Sequence, residues 1–281
     1  MSAMVQIKRA QRLSKRSIWS LAKWINQCLF FDGKSDVVFI LGCQRSGTTL
    51  IADILDRDIN SKVFPEFSEL SSDDHVFNIR LNSLLKVKKN LSRIKAALIV
   101  IRPLVESHRA QEILSTFENA TVIWVFRHYK DVVSSNLKKF GIDNGYKNLA
   151  PILERDGDDW RSQGLSEEVY DLVSYHSNKG LNPQEAQCLF WYVRNRCFFE
   201  KNLQKYKRVL PLKYEDFVRS PLAHVKKIYA IAGLPCPDKD LVFDVHADSV
   251  KKKIEMNVSS EILSLCDEMW RQLESLSNEV C

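Results

Sequence analysis

Short apolar runs alternate with helical patterns along most of the chain. Continuous apolar runs that are typical of buried strands are Val37–Leu41, Ala96–Ile101, Thr121–Phe126 and Val209–Leu212. Segments with helical periodicity are Thr48–Leu55, Val105–Phe117, Asp131–Phe140, Pro183–Tyr206, Pro221–Ile231 and Ser259–Leu276. This alternation predicts an α/β fold in which a central parallel sheet is flanked by helices. Because the fourth run contains Pro211, we expect that strand to lie at an edge or to end early.

The pattern divides the 281 residues into two parts. Residues 1–35 are predicted to form a basic amphipathic N-terminal helix, and residues 36–281 a single α/β domain. Within that domain, residues 144–205 show no strand pattern. We therefore expect a helical insertion there.

Charge is unevenly distributed. The net charge is +6, and it comes from residues 1–35. The charged residues of this segment are Lys8, Arg9, Arg12, Lys15, Arg16, Lys23 and Lys34, with Asp32. Basic and acidic residues balance in the rest of the chain, so no nucleic-acid partner is expected.

The N-terminal segment allows two interpretations. Leu13, Leu21, Ile25 and Leu29 lie close to helical spacing in a basic context, which is typical of a helix lying on an anionic membrane. A terminal helix that packs on the domain with a solvated basic face fits the same pattern. A membrane span is not expected, because the apolar run 19–31 is interrupted by polar residues and is shorter than the ~20 residues required. Peripheral membrane contact through residues 1–31 therefore remains open.

The seven cysteines indicate a reducing environment. Their number is odd and no pair has CxxC spacing, which argues against a zinc site and a disulfide framework. We therefore expect a cytoplasmic protein, with membrane contact at most peripheral.

A glycine-rich turn follows the first predicted strand. In Gly42–Thr49 the two glycines allow backbone N–H groups to converge on one anion, and the next helix adds its positive N-terminal end. Arg45 supplies fixed charge, and Thr48 and Thr49 supply hydroxyl donors. The spacing is that of a P-loop, but Thr48 stands where nucleoside-triphosphate enzymes have lysine. The turn predicts a P-loop-type domain that binds phosphate.

A second anion site is predicted at the third strand. Arg127 follows the end of this strand, where open α/β sheets bind ligands. Ser135 lies eight residues later on the next helix, and both side chains can contact one phosphate. A surface ion pair between Arg127 and Asp131 is the alternative.

Together these segments resemble the sulfotransferases that use 3′-phosphoadenosine-5′-phosphosulfate (PAPS). The resemblance covers the "RSGTT" turn, the strand-tip arginine with a serine eight residues on, and "LPLKYEDFVRSPLAHVKKIYAIAGLP" at 210–235. It implies transfer of a sulfuryl group to a hydroxyl without a metal. It also implies donor contacts, which are Arg45, Ser46, Gly47, Thr48, Thr49, Arg127, Ser135, Lys251 and Lys252.

The resemblance also implies the catalytic groups. Glu66, twenty-one residues after Arg45, matches the glutamate base of the carbohydrate and tyrosylprotein branch rather than the histidine of the cytosolic branch. Glu69 and His75 are the alternative bases. Arg45 is expected to stabilise the leaving phosphate, and Arg102, at the second strand tip, to give electrostatic support.

The acceptor is expected to contact the helical insertion at 144–205. Its identity stays open between glycan, lipid and phenol, with a glycan or glycolipid hydroxyl favoured. Two other functions remain. One is a nucleotide kinase or NTPase, which would need the missing lysine and a magnesium ligand. The other is a nucleotide-binding protein without catalysis.

Overall fold

The computed structural model describes residues 18–31, 33–72, 80–103, 105–247 and 255–279. Within them, five strands form one sheet in the order β2-β3-β1-β4-β5, and every pairing is parallel. The strands are β1 (Asp36–Gly42), β2 (Ser61–Phe64), β3 (Leu98–Ile101), β4 (Ala120–Phe126) and β5 (Val209–Lys213). The predicted α/β class with a parallel sheet is confirmed. The strand that contains Pro211 lies at an edge, as expected.

Helices cover both faces of this sheet. The described helices are α1 (18–30), α2 (Thr48–Leu55), α3 (Leu84–Leu91), α4 (Ala110–Thr116), α5 (Tyr129–Phe140), α6 (Asn144–Leu153), α7 (Glu167–Asn178), α8 (Pro183–Glu200), α9 (Tyr214–Arg219), α10 (Pro221–Ile231) and α11 (Ser260–Glu279). Alternate β1 side chains point into two separate cores: Phe39 packs in the core that contains residues of α5, α8 and α11, and Ile40 in the core that contains residues of α2, α9 and α10. The segment 144–205 is helical, as predicted.

Some predicted boundaries were wrong. The helix expected from Val105 begins later, with a 3₁₀ turn at Ser107–Arg109 that leads into α4. The helix expected to reach Tyr206 ends at Glu200, and Asn202 takes a left-handed backbone conformation (φ 49°) that stops it. The elements β2 and α3 were not predicted.

Helix α1 packs on the domain through polar side chains. Lys23 donates hydrogen bonds to the carbonyl and carboxylate of Asp56, each at 2.8 Å. Lys23 is the basic residue within 18–30, and it is buried. The other basic residues before it lie outside the described residues, so the solvated basic face stays a prediction. No helix in the described part of the chain is both long and apolar enough to cross a bilayer.

Candidate active site at the carboxyl edge of the sheet

The carboxyl ends of the strands bring the predicted site residues to one edge of the sheet. In sheet order, Glu66 follows β2, Arg102 follows β3, the glycine turn follows β1 and Arg127 follows β4. After β1 the chain continues to β2, at one edge of the sheet, and after β4 it continues to β5, at the opposite edge. Such a reversal opens a crevice where open α/β sheets bind ligands.

The turn between β1 and α2 has a tightly constrained backbone. Gly42 has φ 133°, and a Cβ there would collide with the carbonyl oxygen of Val125. Gly47 has φ 98°, and a Cβ there would collide with the ring of Tyr214. Arg45 also has a positive φ, 68°, which is uncommon for a residue with a side chain. The turn therefore holds a conformation that neighbouring elements dictate.

The turn presents polar groups toward the start of α2. Gly47 precedes the helix without a side-chain cap, so the first N–H groups of α2 have no side-chain acceptor. The Ser46 hydroxyl is fully buried and has no hydrogen-bond partner among the described residues. Buried polar groups are normally paired, so this arrangement fits an anion received at the turn.

Arg45 joins the turn to α5. Its side chain is exposed, and its Nε donates a hydrogen bond to the Ser135 hydroxyl at 3.1 Å. The two predicted anion sites are therefore in direct contact through these side chains.

Arg127 lies in the same crevice. Its guanidinium lies over the Tyr214 ring, 4.4 Å from the centroid, and that ring also contacts Gly47. The predicted ion pair with Asp131 is present at 3.7 Å. The Arg127 Nε nevertheless has no hydrogen-bond partner among the described residues. Arg127 therefore combines a fixed position with an unused donor.

Two buried neighbours fix the backbone around Arg127. The indole N–H of Trp191 donates to the Arg127 carbonyl at 3.1 Å. The next peptide N–H, of His128, donates to a Glu215 carboxylate oxygen at 3.0 Å. Burial raises the pKa of Glu215 above its usual value. Sequence reasoning missed Trp191, Tyr214 and Glu215 as supports of the site.

Glu66 and Arg102 form an ion pair at the other end of this edge. The distance between the Arg102 Nη1 and the Glu66 Oε1 is 3.3 Å. The pairing of Phe64 with Ile101 brings the two side chains together, and the Glu66 carbonyl accepts a hydrogen bond from the Ser71 hydroxyl. Arg102 is nearly buried and the Glu66 side chain is 22% exposed. The carboxylate is thus oriented but accessible.

The other candidates for a base or a nucleophile are Glu69, His75, His108 and Cys43. Glu69 is exposed, and His75 lies outside the described residues. His108 lies in the 3₁₀ turn before α4, where burial and nearby guanidinium groups lower its pKa to about 3. Burial raises the pKa of the Cys43 thiol, inside the glycine turn, to about 12, so this thiol is no nucleophile at neutral pH.

Two further expectations concern the donor contacts of Lys251 and Lys252 and a reaction without a metal. Lys251 and Lys252 lie outside the described residues, so their contact with the donor stays a prediction. No group of three or more metal-ligating His, Cys, Asp or Glu side chains occurs within the described ranges.

Known proteins resemble this chain in sequence pattern and in fold. A family model described as the sulfotransferase domain matches residues 35–272. The fold is similar to a sulfotransferase from Alicyclobacillus acidocaldarius, with 14% identity, 88% of this chain and 96% of that chain covered, and a TM-score of 0.50. A sulfotransferase domain from the curacin biosynthetic pathway has 16% identity, coverage of 84% and 98%, and a TM-score of 0.49. A mouse sulfotransferase complexed with PAP has 17% identity, coverage of 85% and 66%, and a TM-score of 0.39.

The search of curated proteins gives no match. The domain match spans most of the chain. Among the functions that the sequence left open, it supports sulfuryl transfer over a nucleotide kinase and over a protein without catalysis. The protein belongs to the sulfotransferase family and is a PAPS-dependent sulfuryl-transferring enzyme.

Proposed function

We propose that this enzyme binds PAPS across the β1–β4 crevice and sulfates a glycan or glycolipid hydroxyl, with Glu66 as the base. The turn from Arg45 to Thr49 binds the 5′-phosphosulfate, and Arg127 and Ser135 bind the 3′-phosphate. One observation carries the proposal: Arg45 contacts Ser135, while Tyr214 contacts both Gly47 and Arg127. Segments far apart in sequence thus converge on one crevice.

The polar groups of the crevice fit a doubly phosphorylated ligand. The buried Ser46 hydroxyl and the Arg127 Nε are donors without partners in the described structure, and the N-terminus of α2 lacks a side-chain cap. The 5′-phosphosulfate would satisfy the donors of the turn and the 3′-phosphate would satisfy Arg127, and each such charge-assisted hydrogen bond is worth about 1.5–3 kcal/mol. The missing side chain of Gly47 leaves room for the Tyr214 ring, over which the Arg127 guanidinium lies.

Each catalytic side chain has a distinct task. The donor supplies the sulfuryl group. Glu66 removes the proton of the acceptor hydroxyl as its oxygen bonds to sulfur, and the bond from sulfur to the 5′-phosphate oxygen breaks. Arg45 stabilises the charge that develops on that phosphate oxygen. Arg102 orients Glu66 through their ion pair.

The choice of a glycan or glycolipid acceptor rests on the glutamate base. The aromatic side chains of the insertion give it little support: Trp160, Trp191 and Tyr192 are buried core residues, whereas Tyr175 is 55% exposed. A screen of glycans, lipids and phenols with labelled PAPS tests the acceptor class. Transfer to phenols alone would contradict a glycan acceptor and leave sulfuryl transfer intact.

We place the enzyme in the cytoplasm. The described cysteines are all free, and Cys43, Cys188, Cys197 and Cys266 are buried thiols. Unpaired thiols of this kind suit a reducing compartment.

Calorimetry with two nucleotides tests the donor site. Adenosine 3′,5′-bisphosphate should bind more tightly than adenosine 5′-phosphate, and Arg127→Ala should remove that difference, because only the first nucleotide reaches Arg127 through a 3′-phosphate. The matched control is Arg155→Ala, an exposed arginine on the insertion. If Arg127→Ala weakens both nucleotides equally, the assignment of the 3′-phosphate is wrong. If neither nucleotide binds the wild-type protein, the donor site itself is wrong.

A further inference from the structure

Helix α1 has its polar side against the protein. Lys23 bonds Asp56 at 2.8 Å and the Ser61 hydroxyl at 3.1 Å, and only 6% of it is exposed. The Gln27 amide donates to the carbonyl oxygens of Ile59 and Ser61, at 3.0 and 2.9 Å. A surface helix of a soluble domain normally turns its apolar side inward. In α1 this arrangement is reversed.

The opposite side of α1 is apolar and exposed; we call it the outer face. Its side chains are between 44% and 76% exposed, and they are Ile18, Leu21, Trp24, Ile25, Leu29 and Phe30. Most follow helical spacing, so they form one continuous stripe rather than scattered apolar residues. A contiguous exposed apolar surface on a soluble protein indicates a site of interaction.

A cavity of about 960 Å³ lies beside α1 at the start of β2. Trp19, Leu21 and Trp24 contribute apolar walls to it. Its cationic side chains are Lys23, Lys62, Arg93 and Lys95, and its carboxylate is Asp56. Lys23 is already paired with Asp56.

The other three cations of the cavity are available to an external anion. Arg93 and Lys95 are exposed and Lys62 is half-buried. None of the three forms an ion pair with any residue that the structure describes. An apolar stripe therefore lies beside an uncompensated positive cluster.

We propose that the outer face of α1 and this cavity form a docking surface for a bilayer that contains anionic phospholipid. The apolar residues enter the boundary between headgroups and acyl chains, where tryptophan is favoured. Lys62, Arg93 and Lys95 contact the phosphates. The sequence that precedes α1 carries five more basic residues, Lys8, Arg9, Arg12, Lys15 and Arg16.

Charge favours a bilayer over a second copy of the chain. A two-fold dimer through the outer face would place the same patch on both sides of the interface. The unpaired cations of Lys62, Arg93 and Lys95 would then oppose each other. An anionic membrane instead offers phosphate at the depth where the apolar stripe ends.

Vesicle co-sedimentation of the full-length protein tests the docking surface. The protein should pellet with vesicles of phosphatidylcholine and phosphatidylglycerol, but much less with phosphatidylcholine alone, and 0.5 M salt should weaken the binding. Leu21→Ser with Trp24→Ser, and separately Lys62→Glu with Arg93→Glu, should each reduce partitioning by at least about tenfold. Leu21, Trp24 and Arg93 are exposed, and Lys62 forms no ion pair within the described residues, so the melting temperature should stay near that of wild type.

Matched controls lie at and just before the beginning of the insertion. Ile142→Ser removes a side chain that is 65% exposed, and Lys147→Glu reverses an exposed charge, both away from α1. Both controls should pellet like wild type. Equal pelleting of wild type with neutral and anionic vesicles, or wild-type pelleting of the α1 variants, would overturn the proposal. So would light scattering that shows a wild-type dimer which the Leu21 and Trp24 changes make monomeric, since a second copy would then cover the face.

Discussion

The two ends of the parallel sheet use positive charge in different ways. At the carboxyl end, Arg45 and Arg127 extend from constrained backbone into a crevice, and a serine and a tyrosine hold them there. At the amino end, Lys23 is buried in hydrogen bonds to Asp56 and Ser61, and the apolar side chains of α1 face outward. The first arrangement suits recognition of one small anion with defined geometry. The second suits an extended surface, and the two should respond independently to mutation.

The largest expected effect at the carboxyl end is on chemistry. Glu66→Gln keeps the size of the side chain but removes the base, so turnover should fall by about 10²–10⁴-fold. Binding of adenosine 3′,5′-bisphosphate and of anionic vesicles should stay near wild type. Glu69→Gln is the matched control, because that exposed carboxylate lies three residues away. Full turnover of Glu66→Gln would reject Glu66 as the base.

The second effect is on the geometry of the turn. Gly47→Ala adds a methyl group at φ 98°, against the Tyr214 ring, so the turn and the ring that supports Arg127 must both shift. We expect this strain in the turn, of a few kcal/mol, to weaken donor binding by about 10- to 100-fold, which calorimetry measures. Gly141→Ala is the control, because its φ is also positive but a Cβ there meets no neighbour. Equal affinities for the two variants would show that the Tyr214 contact is unimportant.

The third effect is on stability in acid. Burial lowers the pKa of His108 to about 3 in the folded protein. Below about pH 6.5 the unfolded chain is therefore protonated at this histidine, whereas the folded protein is not. The free energy of unfolding should therefore fall as pH drops from about 6.5 toward 3, and His108 should account for part of this fall. Urea unfolding of His108→Asn should show a shallower pH dependence. His224→Asn is the control, since that histidine is hydrogen-bonded near the surface of α10; an unchanged slope in His108→Asn would contradict the prediction.

The smallest effect is at the amino end. Lys23→Met keeps the aliphatic stem but removes the ammonium group, so stability should fall by about 1 kcal/mol while turnover stays the same. The loss is modest because Asp56, 43% exposed, regains water. Lys62→Met, which breaks no ion pair within the described residues, should leave the urea midpoint unchanged. A fall in turnover for Lys23→Met would show that the two ends are coupled.

Much of the fold could be predicted because its strands carry a strong local signal. β1, β3 and β4 are continuous apolar runs, since both faces of the sheet are covered. β2 has only four residues, "SKVF", and its Lys62 breaks the apolar run at an edge position. α3 was missed for a similar reason, because only three of its eight residues are buried.

The active site could be predicted only where chain order and strand ends determine it. The tips of neighbouring parallel strands meet, so Arg45 and Arg127 could be placed at one edge from the sequence. The position of Tyr214 between Gly47 and Arg127 is a contact over more than eighty residues and leaves no local pattern. The orientation of α1 was also hidden, because periodicity gives the apolar stripe but not the side that faces the protein.

The length of β1 sets the reach of an enzyme that is docked through α1. Seven residues at about 3.3 Å each separate the beginning of this strand from the turn at its end by roughly 20 Å. The sulfuryl group would then be delivered well above the headgroups of the supporting bilayer. Under the proposed docking, this separation would favour a hydroxyl at the distal end of a long sugar chain, or one on a freely diffusing molecule, over a hydroxyl at the lipid backbone.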